Sequence, residues 1–304
     1  MRTVPKCQRK RHPPPLNFAY ATRSFLGYLE GTSKAAHTIK NYEGDLVSFQ
    51  RFLEKGLGSR PVALSQMTLK DLERYHAYLR AEGLKTNTRR RKILTVRRLL
   101  RYLTVRKKLT LDLGQRIPAP HKIERTPQTV PLLELLERIR QLPTRTLLET
   151  RNRALLWTLA ETGCLVSEVA ELRFEQWNPP TSLSLSGKAP RTVPVSLELT
   201  QAIEQLKSQA QDKSTWLFLG FNRYGSLGGA ITPRGIELLV RHYAKELGFP
   251  KLTPRTFRHS AVIHWFKQGL ARADIQDRLG LKTDYAFRSY EPLLKSSCQT
   301  TSSS

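Results

Sequence analysis

Three side chains near the carboxyl end of the sequence are of types that bind phosphate. Arg255, Arg258 and His259 lie in the segment LTPRTFRHSAVIHWFKQG, which we predict to be a helix that begins after Pro254 and ends at Gly269. The two arginines fall in its first turns, where unpaired N–H groups and the helix dipole favour an anion. Because a guanidinium can hold two phosphate oxygens at once, the cluster predicts a phosphate-binding site.

A tyrosine follows this cluster after a second predicted helix. That helix spans Arg272 to Leu279 and ends at Gly280, and Tyr290 lies ten residues beyond the glycine. The ordinary pKa of a tyrosine hydroxyl is about 10, so Tyr290 acts as a nucleophile at neutral pH only if cations and a proton acceptor activate it. The alternative is that Tyr290 and Phe287 simply pack in a core.

The composition indicates a polyanionic partner. The chain has 304 residues, enough for two domains, and its 51 Lys and Arg against 25 Asp and Glu give a net charge of +26. The cations are spread over segments with helical patterns, which favours nucleic acid, although a membrane-surface or ribosomal protein has the same balance. Because no apolar run is long enough to span a membrane and no signal peptide is present, we expect a cytoplasmic protein with no membrane partner.

The cysteines indicate a reducing compartment. Cys7, Cys164 and Cys298 are odd in number and far apart, which predicts neither a disulfide framework nor a metal site. We therefore expect no metal and no cofactor.

The first third of the chain has the pattern of a helical domain. Residues 1–15 form a basic segment ending in prolines, which we expect to be a disordered arm, and residues 16–108 are predicted to be all helical. Apolar residues recur at three- and four-residue steps in four stripes, as expected for helices that each bury one face. The stripes contain Phe18, Phe25 and Leu29; Ile39, Tyr42, Leu46, Phe49 and Leu53; Leu69, Leu72, Tyr75 and Leu79; and Ile93, Val96, Leu100 and Leu103.

The fourth stripe lies in a strongly basic segment. Between Lys85 and Lys108 there are eleven Lys and Arg and no Asp or Glu. A charge run is usually a solvated face, but like charges at helical spacing repel, so an external anion is expected to stabilise this one. The candidate DNA-binding residues are Arg89, Arg90, Arg91, Arg97, Arg98 and Arg101, together with His259 of the later cluster.

The rest of the chain predicts a linker and a second, mixed domain. Residues 109–131 contain four prolines and are predicted to be an interdomain linker, followed by a domain over 132–295 and a flexible tail over 296–304. Alternating residues predict a β-hairpin over 182–195 with Lys188 in its loop. The fold class is therefore mainly α with a small β-hairpin or sheet (α+β). Further predicted elements are helices over Leu132–Ile139, Arg151–Thr162, Cys164–Leu172 (with Ser167 as a possible cap), Leu197–Leu206 and Ile236–Leu247, and a loop over 221–231.

Four segments in this order resemble the tyrosine recombinases, the phage-integrase and Xer-type family. They are RNRALLWTLAETGCLVSEVAEL at 151–172, SGKAPRTVPV at 186–195, LTPRTFRHSAVIHWFKQG at 252–269, and RLGL followed by Tyr290. The resemblance covers nearly the whole chain and implies a helical core-binding domain that clamps DNA, followed by a catalytic-type domain. It implies that Tyr290 attacks a DNA phosphodiester to form a 3′-phosphotyrosyl link, that Arg258 holds the phosphate, and that Lys188 protonates the leaving 5′-oxygen without a metal.

Three positions depart from the pattern of this family. Leu165 stands where the first arginine is expected, Arg255 where a histidine is expected, and Leu281 where a histidine or tryptophan is expected. Loss of one preorganised cation typically slows such chemistry by ~10²–10³. Arg255 can still bind phosphate but cannot act as a general base near neutral pH. Arg173 and Arg234 are further candidates for the charge missing at Leu165.

The resemblance and the departures leave two main hypotheses. The first is a DNA-binding protein of this family, involved in DNA integration or site-specific recombination, in which strand cleavage is impaired or lost. The alternative is an active site-specific recombinase that uses Tyr290, and a third is a basic RNA- or ribosome-associated protein. The expected partner is double-stranded DNA, with weak association of the free protein and assembly on DNA with itself or with an active recombinase.

Overall fold

The structure is a computed structural model that describes residues 17–32, 34–57, 64, 67–187, 189–210, 215–221 and 227–294. The chain divides into two units, Met1–Glu124 and Arg125–Ser304. The predicted fold class, mainly α with small antiparallel sheets, is confirmed over the described residues. The predicted arm at 1–15 and tail at 296–304 lie outside them.

The described part of the first unit contains four α-helices: α1 (Phe18–Gly31), α2 (Ala36–Leu57), α3 (Leu69–Ala81) and α4 (Thr86–Val105). The four predicted stripes meet in one core, in which the rings of Phe49 and Tyr75 lie 4.6 Å apart. Thr68 begins α3 with a capping box to Asp71.

The segment predicted as a linker, 109–131, falls in both units. Its first part belongs to the first unit, where a 3₁₀ turn spans Leu113–Gln115 and Ile117 is buried. Asn87 of α4 holds the segment by donating to the Ile123 carbonyl at 2.8 Å and accepting from its N–H at 2.9 Å. In the second unit, the Val130 N–H donates to Ser260 Oγ at 2.9 Å.

The second unit contains seven described α-helices. Thr146 and Thr253 each begin a helix through a capping box, and Pro233 occupies the first turn of another. The helices are α5 (Leu132–Arg140), α6 (Leu147–Thr162), α7 (Val166–Ala170), α8 (Leu197–Ala210), α9 (Pro233–Glu246), α10 (Pro254–Lys267) and α11 (Arg272–Leu279). Short 3₁₀ helices span Phe174–Gln176 and Asp284–Tyr290.

The centre of this unit is α6, which is buried on nearly all sides and packs against α5, α8 and α10. It ends at Gly163 (φ 60°), and α11 ends at Gly280 (φ 63°). Glycine takes this left-handed conformation without a Cβ clash, so both helices stop where the sequence predicts. These two helix ends supply the carbonyl groups around which the candidate site is built.

Two small antiparallel sheets accompany the helices. In the first, β1 (Trp177–Asn178), β2 (Ser182–Leu185) and β3 (Arg191–Pro194) pair in the order β1-β2-β3, with Leu183 opposite Val193. This confirms the predicted hairpin. In the second, β4 (Leu219–Phe221) pairs with β5 (Leu227–Ala230).

Two local predictions are wrong. Of the residues expected to form a loop, 221–231, Phe221 belongs to β4 and Leu227–Ala230 form β5, while 222–226 lie outside the described residues. The strand β5 was not predicted because Gly228 and Gly229 interrupt the apolar alternation that signals a strand. A Cβ on Gly220 would lie 3.1 Å from the Ala230 carbonyl oxygen, so close strand pairing explains the glycine there. Ser167 is not a cap either, since Leu165 occupies the N-cap position of α7.

Candidate active site

Arg258 joins three helices of the second unit. From α10 its Nη1 donates to the Gly163 carbonyl at the end of α6, at 2.7 Å, and its Nη2 donates to the Leu279 carbonyl at the end of α11, at 2.8 Å. Desolvation lowers the pKa of this guanidinium, which nevertheless stays charged at neutral pH. A guanidinium has five N–H donors, so these two bonds leave donors for a phosphate.

Tyr290 lies beside His259, which belongs to the same helix as Arg258. The Tyr290 Oη and His259 Nδ1 atoms are 2.5 Å apart, and the two rings meet edge to face with centroids 5.3 Å apart. Burial raises the pKa of Tyr290 to about 12, although Arg258 and Arg255 act in the opposite direction. Burial and the same two arginines lower the pKa of His259 to about 4. At neutral pH the phenol therefore donates and the neutral imidazole accepts.

The position of Tyr290 is compatible with both interpretations, a packed core residue and a nucleophile. The side chain is 5% exposed and packs with Phe287 in a cluster that also contains Trp265 and Ile275. Its hydroxyl is hydrogen-bonded to His259, as a buried phenol requires, and this partner is also a group that can accept the phenol proton. His259, predicted to bind DNA, is placed by the structure against this hydroxyl, and Arg255 is exposed in the first turn of α10.

The two leucines at positions where the sequence analysis expects polar residues contribute no hydrogen-bond donor from their side chains. Leu165 is 47% exposed at the start of α7, and its hydrogen bonds are made by its backbone: its N–H donates to Glu168 Oε2 at 2.8 Å, and its carbonyl accepts from the Val169 N–H at 3.0 Å. Leu281 follows the α11 cap and packs against the Tyr290 cluster. Lys188, predicted to lie in the β2–β3 loop, falls outside the described residues.

A buried ion pair near Leu165 was missed by the sequence analysis. Arg191 donates from Nη1 and Nη2 to the two carboxylate oxygens of Glu168, at 2.6 and 3.0 Å, and the two side chains are 8% and 10% exposed. Its Nε donates to the Arg278 carbonyl at 2.7 Å, next to the carbonyl that Arg258 binds. A Cβ on Gly280 would lie 2.9 Å from Arg191 Nη1 and 2.8 Å from the Ala189 Cβ. The hairpin, α7 and the end of α11 therefore meet at one guanidinium.

One sequence signal could have found Arg191. It lies two residues before Val193 in β3, and side chains two apart on a strand share a face. Because Val193 is buried, that parity directs Arg191 inward, where an arginine requires a partner.

The other two arginines considered for the position of Leu165 are engaged elsewhere. The guanidinium of Arg173 lies 4.2 Å from the centroid of the Trp216 ring. Arg234 donates to Glu237 on the exposed first turn of α9 at 2.8 Å. Arg191, in contrast, is paired with Glu168 of α7 itself.

The arginines of α4, in the first unit, differ in their surroundings. Arg91 donates to Asp45 of α2 at 2.5 Å, Arg90 donates to the Pro120 carbonyl at 2.7 Å, and Arg97 donates to the Ile117 carbonyl. The segment itself contains no acid, but these three arginines have partners within the protein, because the acid and the carbonyls come from elsewhere in the chain. Arg98 and Arg101 are exposed, Arg89 is half-buried with Nη2 on Thr86, and Arg98 lies 5.4 Å from the centre of the Tyr42 ring.

Cys164 has no role in this chemistry. It is buried beside Gly163, accepts from Thr162 Oγ1 at 2.8 Å, and has a thiol pKa raised to about 12 by burial. Among the described residues, no group of three His, Cys, Asp or Glu side chains is arranged to hold a metal ion. Nor does any helix in that part of the chain have the length and apolarity to cross a membrane.

Comparisons with known proteins agree with this architecture. Residues 23–107 match the phage integrase N-terminal SAM-like domain. Among curated relatives, tyrosine recombinase XerC of Lacticaseibacillus casei is 30% identical over 275 residues, covering 84% of this chain and 88% of the relative. XerC of Staphylococcus haemolyticus is 28% identical over 254 residues, covering 81% and 82%.

A solved structure supports the fold. The XerH site-specific recombinase in a post-cleavage complex with palindromic difH substrate aligns with a TM-score of 0.71 at 16% identity, covering 94% of this chain and 84% of XerH. Residues 132–295, which contain Arg258, His259 and Tyr290, match the phage integrase family itself. The chain therefore belongs to the phage integrase family of tyrosine recombinases.

Proposed function

We propose that this protein binds double-stranded DNA in site-specific recombination or DNA integration, and that its cleavage of a DNA strand is slowed or lost. The observation that carries the proposal is Leu165, an exposed apolar side chain where the family pattern has a phosphate-binding arginine. Replacing that cation removes a preorganised charge from the transition state, which typically slows the reaction ~10²–10³-fold.

The proposed chemistry is phosphoryl transfer to Tyr290. The Tyr290 oxygen forms a bond to the phosphorus as the bond to the 5′-oxygen breaks, leaving the DNA 3′ end on the protein. The phenol proton passes to His259, Lys188 protonates the leaving oxygen, and Arg258 and Arg255 bind the non-bridging oxygens. Phosphoryl transfer depends mainly on such positioning and charge.

Two further features support slow cleavage. The pKa of Tyr290 is raised to about 12 by burial, so its ionised phenolate form is scarce at neutral pH without additional positive charge. Leu281 offers no hydrogen bond to the phosphate where the family pattern has a histidine or tryptophan.

The second candidate is an active recombinase with an unusual site. The 2.5 Å contact between Tyr290 Oη and His259 Nδ1 favours it, because a neutral imidazole is already in place to accept the phenol proton. The same residues serve both proposals, which differ only in the rate of cleavage. An RNA- or ribosome-associated role has no support beyond the charge.

The proposed partners of this protein follow from those of proteins that it resembles. XerH was solved on its difH substrate, and we extend binding to double-stranded DNA to this chain. We further propose assembly on DNA, either of several copies or with an active recombinase that supplies the missing groups. The exposed Arg98 and Arg101 of α4 are the first-unit residues best placed to contact phosphates.

The test is covalent capture on a suicide substrate. Short random duplexes are enriched by binding to the protein, and the selected duplex is then nicked so that cleavage releases a small fragment and traps any covalent adduct. Wild type, Tyr290→Phe and Leu165→Arg proteins are compared on denaturing gels. Leu133→Arg is the matched control, since it adds the same charge at another exposed leucine of the second unit.

We expect binding by all four proteins and an adduct that appears, or increases at least ~100-fold in rate, only with Leu165→Arg. A fast wild-type adduct that vanishes in Tyr290→Phe would instead establish the active recombinase. An equal gain from Leu133→Arg would assign the effect to general charge, and failure to bind DNA would overturn both candidates.

A further inference from the structure

Arg151, on α6, is a buried cation to which the described residues offer no hydrogen-bond acceptor. The residue is 5% exposed, and its Nε and Nη1 atoms have no acceptor. None of the ion pairs formed among the described residues includes it. Its contact is with the ring of Phe221 in β4, whose centroid lies 5.0 Å from the guanidinium carbon.

Such an arrangement requires an anion. Burial lowers the pKa of Arg151 to about 10, so the side chain remains charged at neutral pH. A buried charge is strongly unfavourable unless it is paired and hydrogen-bonded, and an aromatic face satisfies no N–H donor. By contrast, Arg258 has two carbonyl partners and Arg191 has a carboxylate.

Arg151 lines a cavity of about 540 Å³ between α6, α9 and the β4–β5 hairpin. Glycines of the hairpin form one wall, and Thr232, Gly235 and His242 lie on the side of α9. None of the described lining residues is acidic, and the segment 222–226, NRYGS, contains no acid in its sequence. The volume is within the ~300–1,000 Å³ typical of small-molecule pockets.

Asn152, which also lines this cavity, carries a second unpartnered polar atom. The residue is 8% exposed, its Nδ2 lies 3.1 Å from Tyr243 Oη, and its Oδ1 has no partner. If the Asn152 side-chain amide is rotated by 180°, its oxygen and nitrogen exchange places, and the atom without a partner is then a donor in place of an acceptor. A hydrogen phosphate group carries both acceptor oxygens and an O–H, so it can satisfy Arg151 and Asn152 together.

We propose that this cavity is a binding site for the phosphate group of a small molecule, with Arg151 as its anchor and Asn152 as its second contact. The site is separate from Tyr290 and does not depend on whether the protein cleaves DNA. The same chemistry exists in the DNA backbone, so the test must separate a free phosphate from a phosphate of duplex DNA.

The first experiment is calorimetric titration of the full chain with inorganic phosphate at constant ionic strength. We compare wild type with Arg151→Met, which removes the anchor, and with Arg241→Met, which removes an exposed arginine of α9 in the same unit. We expect Arg151→Met to weaken phosphate binding at least 10-fold and Arg241→Met to change it less than 2-fold. Equal effects, or binding unchanged in Arg151→Met, would overturn the proposal.

A second variant tests the site even if Arg151→Met fails to fold. Gly229→Asp places a carboxylate on the cavity lining, and no atom lies within 4 Å of the added Cβ. The added negative charge on the cavity lining would repel phosphate, so we expect the same 10-fold loss with the arginine retained. Unchanged phosphate affinity in Gly229→Asp would count against the site.

The last arm identifies the source of the phosphate. Wild type saturated with duplex DNA is titrated with inorganic phosphate, and duplex affinity is measured for Arg151→Met. Retained phosphate binding, with duplex affinity changed less than 2-fold, supports the small-molecule site. If duplex abolishes phosphate binding and Arg151→Met loses 10-fold in duplex affinity, the cavity receives a DNA phosphate and the proposal is wrong.

Discussion

Two arginines of the second unit show opposite solutions to the same physical problem. Both Arg258 and Arg151 lie on helices, and burial lowers the pKa of each. Arg258 donates to the carbonyl groups that end α6 and α11, whereas the Nε and Nη1 atoms of Arg151 have no acceptor. Helix ends supply free carbonyls that can hold a guanidinium, and the middle of a helix supplies none. A buried cation that neither a helix end nor an acid of the fold reaches therefore depends on a group from outside the fold.

The largest expected loss of stability follows from removing the partner of Arg191, so that this arginine, like Arg151, is buried without an acceptor for its charge. Glu168→Ala leaves the Arg191 guanidinium buried without its carboxylate, and we expect the second unit to lose about 3–5 kcal/mol of unfolding free energy. Denaturant unfolding followed by tryptophan fluorescence measures this unit alone, because all four tryptophans lie in it. Glu204→Ala, an exposed glutamate of α8, is the control and should change stability by less than ~0.5 kcal/mol. If Glu168→Ala also loses less than ~0.5 kcal/mol of unfolding free energy, water takes the place of the carboxylate beside Arg191.

The second largest loss of stability is expected when Arg258, the arginine bound to two carbonyl groups, is replaced. Arg258→Met leaves the Gly163 and Leu279 carbonyls without their donor, which should destabilise the second unit by about 2–4 kcal/mol. The same fluorescence measurement applies, with Arg241→Met as the matched control. Equal stabilities of these two variants would show that the recorded hydrogen bonds contribute little.

His259 provides a measurement of the charge around Tyr290. Its pKa is lowered to about 4 from an ordinary value of about 6.5, so the unfolded chain binds its proton first as the pH falls. This group should therefore reduce stability progressively between pH 6.5 and 4 and have no effect above that window. We expect NMR titration, with the resonance assigned through His259→Asn, to give the lowered pKa directly.

Arg255 sharpens that measurement. Because it is one of the two arginines that lower the pKa of His259, Arg255→Gln should raise that pKa. Arg272→Gln, an exposed arginine at the start of α11, is the control. A pKa that moves equally in both variants would indicate a general charge effect.

The smallest expected effect is that of Arg151→Met on the stability of the free protein. Removing a buried cation with no partner and inserting an apolar side chain of similar length should change the unfolding free energy by less than ~1 kcal/mol, or increase it. Unfolding in chloride buffer, free of phosphate, is the measurement. A loss as large as that of Arg258→Met would show that the two arginines are equally bonded within the fold.

Local signals in the sequence predicted the elements that carry the site. Pro254, Gly269 and Gly280 mark the limits of α10 and α11, so Arg258 and His259 were placed on the correct helix. The apolar stripes likewise predicted the helices of the first unit. Each of these signals depends only on residues close together in the sequence, so the spacing of apolar residues, prolines and glycines is sufficient to predict the helices.

Contacts between distant residues could not be predicted in this way. Arg191 and Glu168 are 23 positions apart, and Arg91 and Asp45 are 46 apart. Nothing in a helical stripe specifies which acid of another element lies opposite. The β4–β5 hairpin was missed because its glycines carry no side-chain pattern, and with it the wall of the Arg151 cavity.

The meeting of the hairpin, α7 and α11 at Arg191 has an evolutionary consequence. Glu168 neutralises the guanidinium, and Gly280 leaves it room by lacking a Cβ. A change at one of these three positions alone leaves either an unpaired charge or a clash. Among descendants of this sequence, we expect Glu168, Arg191 and Gly280 to be retained or replaced together, while Leu165, whose side chain is exposed, varies independently of them.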